Sequence, residues 1–343
     1  MNFTLISEIT SKRADFFLQA AKLQNMSVTV IPYPPPTMLS AFDISNLNMI
    51  KLDPPVYNNP NITDIYSEIA PYISFWKRIG QASDIRCLNS IDSIINTLDK
   101  QTCKSILMEA GIPCTPLLPQ VSSIESLRKM LLQLELPGAF IKPRWGSGAA
   151  GVLAYRLPSR GRPELLCTSA KMLNGQLMNT KHLYTLSSSK AIEEIVNQIL
   201  SQDTVIEKWL PKAKFRGRYF DLRILYQFDK IVYTIARQST GVITNLHLNN
   251  SPMEVSFLPT RTLDEIAVLC GKAAKLFPGL RVSGMDILLE PGTYTPYIIE
   301  INAQGDLIYQ DIYADNSIYA DQVRFISCLK RRKSNDFMPY KGT

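Results

Sequence analysis

Asp286, Glu300 and Asn302 are the residues of this chain whose types and spacing most directly suggest chemistry. They fall in two apolar runs, Gly284 to Glu290 and Tyr297 to Asn302, and the residues between carry turn chemistry. Folded as a hairpin about Thr293, the runs put Asp286 opposite Glu300. Asn302 is two residues further on and shares the Glu300 face. Two carboxylates and one amide oxygen would then converge in an otherwise apolar hairpin. Hard oxygen ligands of this kind suit Mg²⁺ held jointly with nucleotide phosphates. Taken alone, the three also read as the polar side of a solvated sheet.

Three more segments carry candidate chemistry. Phe140 to Val152 reads as a strand, a loop of glycine and small residues, and a second strand. The loop holds Gly146, Ser147, Gly148 and Gly151, which would let backbone N–H groups approach phosphate oxygens. Lys142 and Arg144 are two apart, so both side chains can point to one side. No GxxxxGK[ST] pattern is present, so this is not a P-loop. In Val205 to Pro211, Glu207 lies at a strand edge, where its carboxylate could take the exocyclic amino group of adenine while neighbouring backbone amides read the ring. In Gly217 to Arg223, a hairpin about Asp229 puts Asp221 opposite Arg237, with Arg223 a diagonal neighbour. Two guanidiniums near one carboxylate make an anion clamp suited to a phosphoryl group in transit. Thr244 to His247 adds a polar loop after that strand. Singly, these segments also read as a flexible hairpin loop, an exposed acid on an edge strand, which is the favoured reading of Glu207 taken alone, and a cross-strand ion pair.

The elements that must position these residues are of mixed type. Residues 1–33 read strand, helix, strand, the opening of an α/β sheet without the glycine-rich loop of a dinucleotide site. Helical patches are expected around Tyr66 to Trp76 and Ile91 to Leu98. A helix from Gln101 to Ala110 is closed by Gly111 and Pro113. Strands are expected at 139–142, 151–155, 165–172, 204–210, 219–227 and 231–238. Helices are expected at 191–200, 262–276 and 317–329.

With 343 residues, 45% of them hydrophobic and 20% charged, the chain can bury a large core in two or three domains. No run is long and apolar enough to span a membrane, and the start of the chain lacks a signal-peptide pattern. A net charge of +7 suits an anionic ligand such as a nucleotide. The one basic cluster noted, Lys330 to Lys333, is expected to end a surface helix, and no nucleic-acid partner is expected. Six cysteines without a CxxC pair suggest reduced thiols and a cytoplasmic location. Two histidines, His182 and His247, exclude a multi-histidine metal site and leave a Ser-His-Asp triad hard to build.

The serial order of these segments resembles the ATP-grasp superfamily over roughly residues 99–312: lysine, small-residue loop, acid at a strand edge, DxR, arginine, asparagine, then Asp followed by Glu-x-Asn. The DxR and ExN signatures resemble the branch that includes the ligase adding glutamate to a ribosomal protein. Trp209 to Ala213, Arg218 to Arg223, Thr244 to Leu248 and Glu300 to Asp306 further resemble a bacterial group whose genes tend to sit beside radical-SAM enzymes.

The resemblance implies an α/β (α+β) chain: an ATP-grasp fold of two α+β subdomains holding ATP between them, preceded by a small Rossmann-like domain. The divisions it implies are 1–98, 99–187, 188–333 and a tail at 334–343. It implies that Lys100 and Lys142 contact phosphates. Gly146 to Gly151 would cover the triphosphate, and Glu207, Lys208, Trp209 and Leu210 would hold adenine. Asp221 would be the DxR aspartate, Arg223 and Arg237 would hold the γ-phosphate and an acyl-phosphate, and Asn245 would orient substrate. Asp286, Glu300 and Asn302 would hold Mg²⁺, with Mn²⁺ an alternative. After Asn302 the chain departs from the glutamate ligase, which leaves the acceptor open; the loops near Tyr309 to Tyr313 would line its pocket. The activity implied is ATP-dependent amide formation between a carboxylate and an amine, on a peptide or natural product, and a homodimer would be unsurprising. The alternatives are an ATP-binding module without ligase activity and a phosphotransferase that stops at phosphoryl transfer.

Overall fold

The computed structural model describes residues 3–56, 61–146, 150–244, 251–305 and 315–331. Three sheets organise them. The first is parallel, with strands β1 (Phe3–Ile6), β2 (Val28–Ile31), β3 (Met49–Leu52) and β4 (Arg86–Cys87) in the order β2-β1-β3-β4. Helix α1 (Lys12–Leu23) is capped by Ser11, whose hydroxyl accepts from the Ala14 N–H. Phe3, Phe17, Tyr319 and Val323 share one apolar core, which joins this sheet and α1 to the last helix, α8 (Ser317–Arg331).

The helical stretch that follows packs against the last sheet. Helices α2 (Ile65–Gln81) and α3 (Ile91–Leu98) place Trp76, Ile91 and Ile94 in the same core as Phe220 and Ile287. Asn89 staples the two regions: its amide donates to the carbonyls of Val282 and Ala303 and accepts from the N–H groups of Arg281 and Val282. Asp99 separates α3 from α4 (Lys100–Glu109) and caps α4 by accepting from the N–H groups of Gln101 and Thr102.

The second sheet is antiparallel. Its strands are β5 (Gly138–Pro143), β6 (Leu153–Arg156), β7 (Leu165–Leu173), β8 (Gln176–Leu186) and β9 (Thr204–Lys208), in the order β8-β7-β6-β5-β9. Helices α5 (Ile124–Gln133) and α6 (Ser189–Leu200) share its core through Leu127, Leu131, Ile195 and Ile199. The β7–β8 hairpin turns on Asn174 and Gly175, both at positive φ (51° and 77°).

The third sheet holds β10 (Lys214–Phe215), β11 (Arg218–Gln227), β12 (Lys230–Ser239), β13 (Ser251–Met253), β14 (Val282–Leu289) and β15 (Pro296–Asn302). Its order is β13-β12-β11-β14-β15, with β10 on β11. The expected hairpin about Asp229 is present, with Phe228 and Asp229 at φ 51° and 65°. Helix α7 (Thr260–Ala274) seals one face through Ile266, Cys270 and Ala273. Among the described residues no helix is long and apolar enough to cross a membrane.

Candidate functional site

A cleft of about 730 Å³ lies between the second and third sheets. Its volume is in the range of nucleotide-sized ligands. β5 and β9 supply Phe140, Lys142 and Glu207 to its wall; β11, β12, β14 and β15 supply Asp221, Arg237, Asp286 and Glu300.

At one end the chemistry is built on Glu207. Register sets Phe140 opposite Glu207, and the Lys142 ammonium reaches the Glu207 carboxylate at 2.8 Å. Lys104, one turn along α4 from Lys100, lies 3.8 Å from the other oxygen, which also accepts from the Thr115 hydroxyl. Glu207 is 1% exposed, so its charge stands only because these partners surround it. Burial pushes the Glu207 carboxyl up, but Lys104 and Lys142 override that and hold it below the usual carboxylate value. Burial drives Lys104 below the ordinary lysine value against the pull of Glu207. The β9 ladder ends at Lys208, and Trp209 and Leu210 carry on along the cleft wall.

The expected phosphate loop is pinned from below. The Lys100 ammonium donates to the Gly146 carbonyl at 2.6 Å, and the Lys100 N–H donates to the Arg144 carbonyl. Burial lowers Lys100 from its ordinary value, opposed chiefly by Glu300. Gly151 sits at φ +68°, where an added Cβ would lie 2.8 Å from Ile62 and from Pro143. It packs the base of the loop and does not line the cleft. Ser147 and Gly148 lie outside the described residues. Arg144 corrects the expectation drawn from its spacing. Its guanidinium forks onto Asp99 at 2.7 and 2.6 Å, locking α4 to the end of β5, and does not line the cleft. Burial pushes the Asp99 carboxyl up, but the fork and the Thr102 donors bring it below the usual range.

The far end is a lattice of charges across four strands. Asp221 stands opposite Arg237, Arg223 opposite Asp286, and Asp286 opposite Glu300. Arg237 donates to Asp221 at 2.7 Å and lies 3.1 Å from Asp286. Arg223 donates to the other Asp286 oxygen at 2.6 Å and to the Gly305 carbonyl at 3.1 Å. The two guanidiniums therefore converge on Asp286, and not on Asp221 as the DxR spacing alone implied. Arg223 is also withdrawn from the cleft wall. It lies under Gly284, where an added Cβ would meet its Cζ at 2.7 Å, so the absence of a side chain at 284 makes its berth. Burial pushes Asp286 up, but Arg223 and Arg237 hold it down at about 2. Burial opposes the charge on Arg237, and Asp221 and Asp286 hold its pKa above the usual arginine value.

Asp286 and Glu300 form a pair of oxygen donors whose chemistry fits a hard divalent cation. Both Asp286 oxygens already accept from arginine, and each keeps a second lone pair. Asn302 pairs with Gly284, beyond the stretch of β15 that lines the cleft. Among the described residues no group of three His, Cys, Asp or Glu is arranged to hold a metal, so a cation here would complete its shell with oxygens from elsewhere.

The spacing arguments missed Lys104, Thr115 and Lys212, and took Thr244 only as the start of a polar loop. Lys212 reaches Asp221 at 3.3 Å, the Val242 carbonyl at 3.2 Å and the Thr244 hydroxyl at 2.6 Å, and Thr244 donates to Asp221 in turn. Burial lowers Lys212 against the pull of Asp221. Its one sequence signal is a lysine beside Pro211 where the wall leaves the β9 ladder. Asn245 and the residues at 306–314 lie outside the described residues.

No family model and no curated protein matches the chain. Solved structures do. D-cycloserine synthetase DcsG superposes with a TM-score of 0.63 at 12% identity, covering 95% of this chain and 99% of that one. Macrocyclase MdnC from Microcystis aeruginosa MRC, bound with precursor peptide MdnA, gives 0.60 at 13%, covering 96% and 100%. D-alanine–D-alanine ligase from Bacillus anthracis, complexed with ATP, gives 0.58 at 13%, covering 96% and 98%. The ATP-grasp ligase PsnB, complexed with minimal precursor, Mg and ADP, gives 0.53 at 12%, covering 94% and 98%. Sharing its course with these proteins over nearly its whole length, the chain has the ATP-grasp fold.

Proposed function

We propose that this protein is an ATP- and Mg²⁺-dependent ligase that joins a carboxylate to an amine through an acyl-phosphate, acting on a peptide or natural product. The observation that carries the reading is the charge lattice Asp221–Arg237–Asp286–Arg223, with Glu300 opposite Asp286, at one end of a cleft whose other end is the buried Glu207–Lys142 pair. A carboxylate acceptor beside an apolar wall suits adenine, and paired arginines and carboxylates suit the phosphoryl end.

In this reading Glu207 accepts from the adenine amino group, with the backbone of Lys208, Trp209 and Leu210 beside it. Lys142 and Lys100 neutralise phosphates. Arg237 stabilises charge on the γ-phosphoryl as it passes to the substrate carboxylate, and Arg223 and Asp221 hold Arg237 and Asp286 in place. Asp286 and Glu300, with Asn302, would hold Mg²⁺, which when bound supplies charge neutralisation for the phosphates. The chain's work is positioning and charge compensation, for which no protein nucleophile is required. An amine then displaces phosphate, and the amide and free phosphate leave. Residues 1–98, 99–187 and 188–333 are taken as the working units. The branch with DxR and ExN signatures, the radical-SAM setting and a cytoplasmic location belong to the same proposal. PsnB and MdnC, whose structures hold precursor peptides, support a peptide substrate.

The test is ADP release from Mg-ATP in the presence of size-fractionated extract, with Glu300→Gln as control and mass spectrometry for an amide product. Release that depends on one fraction, yields an amide and falls at least about a hundredfold in the variant supports the ligase. ADP release with a phosphorylated product and no amide would replace it with a phosphotransferase. Tight Mg-ATP binding without release in any fraction would replace it with a nucleotide-binding module.

A further inference from the structure

Three cations inside the cleft are compensated by carboxylates of the protein itself, Lys142 by Glu207, Lys212 by Asp221, Arg237 by Asp221 and Asp286, and a fourth, Lys100, donates to the Gly146 carbonyl. Four cations on its wall and on the adjoining hairpin are not so compensated. Lys208, Lys214, Arg216 and Arg218 follow one another along the chain at short spacing, and none of them pairs with a carboxylate among the described residues. Lys214, Arg216 and Arg218 are exposed. Lys208 and Lys214 line the same cleft as Glu207. This alternation of basic and aromatic residues went unnoticed in the sequence, where Lys330 to Lys333 stood out instead.

The basic edge is built on a firm base. β10 and β11 pair Lys214 with Tyr219 and Phe215 with Arg218. The two residues between, Arg216 and Gly217, are both at positive φ (51° and 80°), which gives a tight two-residue turn. Phe215 stacks on Phe257 with centroids 4.1 Å apart, fixing the hairpin to the core. Lys214 lies 4.3 Å from the Tyr219 ring centroid, and Arg216 lies 5.2 Å from that of Phe215. The aromatic faces hold two of the four charges in place at modest cost in side-chain freedom. Like charges fixed this close together repel, and an anion supplied from outside relieves that repulsion.

The geometry points to a docking edge, running from Lys208 to Arg218, for an acidic segment of a peptide substrate whose reacting carboxylate enters the cleft. This rests on the ligase reading above. Single-stranded nucleic acid fits the edge less well. The Phe215 ring already carries Phe257 and Arg216, and Tyr219 carries Lys214, which leaves little open aromatic face for successive bases to stack on. Four cations also fall short of the roughly 6–10 phosphate contacts typical of a strongly salt-dependent nucleic-acid site.

The test uses the full chain and fluorescence anisotropy with three labelled probes: a dodecapeptide alternating glutamate and glycine, its glutamine counterpart, and an oligouridylate of equal length. Each is titrated with wild type and with Arg216→Glu/Arg218→Glu, and Mg-ATP binding is measured in both by calorimetry. The glutamate peptide should bind wild type, weaken as salt rises, and lose about tenfold in the double variant, with Mg-ATP affinity unchanged. Equal binding of the glutamine peptide, full affinity in the variant, or tighter binding of the oligouridylate would overturn the docking edge and leave the ligase standing. Charge-dependent peptide binding in a protein that does not bind Mg-ATP would overturn the ligase reading and keep the edge as a binding surface.

Discussion

Arg223 and Asp286 stand directly opposite each other on β11 and β14, and the guanidinium reaches the carboxylate at 2.6 Å from beneath a glycine. The contact depends on Gly284 having no side chain. Gly284→Ala would drive a methyl group into Arg223 and the Gly305 carbonyl, in strands with no room to move. A loss of about 1–3 kcal/mol is expected from overpacking, read as a lower urea midpoint at unchanged m-value. A midpoint equal to wild type would show that the berth is roomier than its geometry.

The same pair sets a pH dependence. Asp286 has a folded pKa near 2, below the ordinary carboxylate value of about 3.9. A depressed folded pKa stabilises the protein above the unfolded value, and that contribution is lost as pH falls through the folded one. The window therefore lies between about pH 4 and pH 2, and the contribution is on the order of 2 kcal/mol. Arg223→Met removes one of the two guanidiniums and brings the folded pKa of Asp286 closer to its unfolded value, so the variant should be less stable near neutrality and should lose less stability than wild type between about pH 4 and pH 2. Parallel stability curves for the two proteins from about pH 4 to pH 2 would contradict the assignment; both are read by denaturant titration.

Much of this site was legible in the sequence, and what was missed has a physical pattern. Asp221 opposite Arg237 and Asp286 opposite Glu300 follow from turn position and strand alternation, which register translates directly into contacts. Arg144 followed the same rule and misled. Alternation gives a direction along one strand, but the cap of α4 supplied a stronger partner in Asp99, which no spacing within β5 encodes. Lys104 and Lys212 were invisible because their partners lie 103 and 9 residues away across separate elements. The β8 strand was overlooked although Asn174-Gly175 is a strong hairpin signal. The parallel first sheet was legible only in its opening strand-helix-strand unit, because β3 lies beyond a proline-rich loop and reads as an isolated apolar run.

Arg144→Gln separates structural from ligand roles at the loop. The fork to Asp99 is partly exposed, with the Arg144 side chain 31% accessible, so its loss should cost about 1 kcal/mol after allowance for solvent screening. Nucleotide affinity should change less than threefold, roughly. A tenfold weaker Mg-ATP binding by calorimetry, with little change in stability, would return Arg144 to the ligand site.

Glu207→Gln should act on both stability and binding. It leaves Lys142 and Lys104 buried without their shared carboxylate, and breaking a buried pair from one side costs about 3–5 kcal/mol. Mg-ATP should stabilise wild type in thermal melts and stabilise the variant much less. An equal ligand-induced shift in both proteins would take adenine away from Glu207.

Lys212→Met tests the group that sequence reasoning passed over. All three ammonium protons are taken, by Asp221, the Val242 carbonyl and the Thr244 hydroxyl, so none is left for a ligand without breaking one of these bonds. The lysine thus ties the segment that follows β12 to the aspartate that holds Arg237. Its removal should leave Mg-ATP affinity within about threefold of wild type, because Lys142 and Glu207 are untouched. Turnover in the proposed ligase reaction should fall by about tenfold to a hundredfold, since Asp221 and Arg237 would lose the anchor that orients them. The split between an unchanged dissociation constant and a lowered kcat is the readout. Loss of nucleotide binding instead would make Lys212 a phosphate contact, with its bonds to Val242 and Thr244 given up when ATP enters.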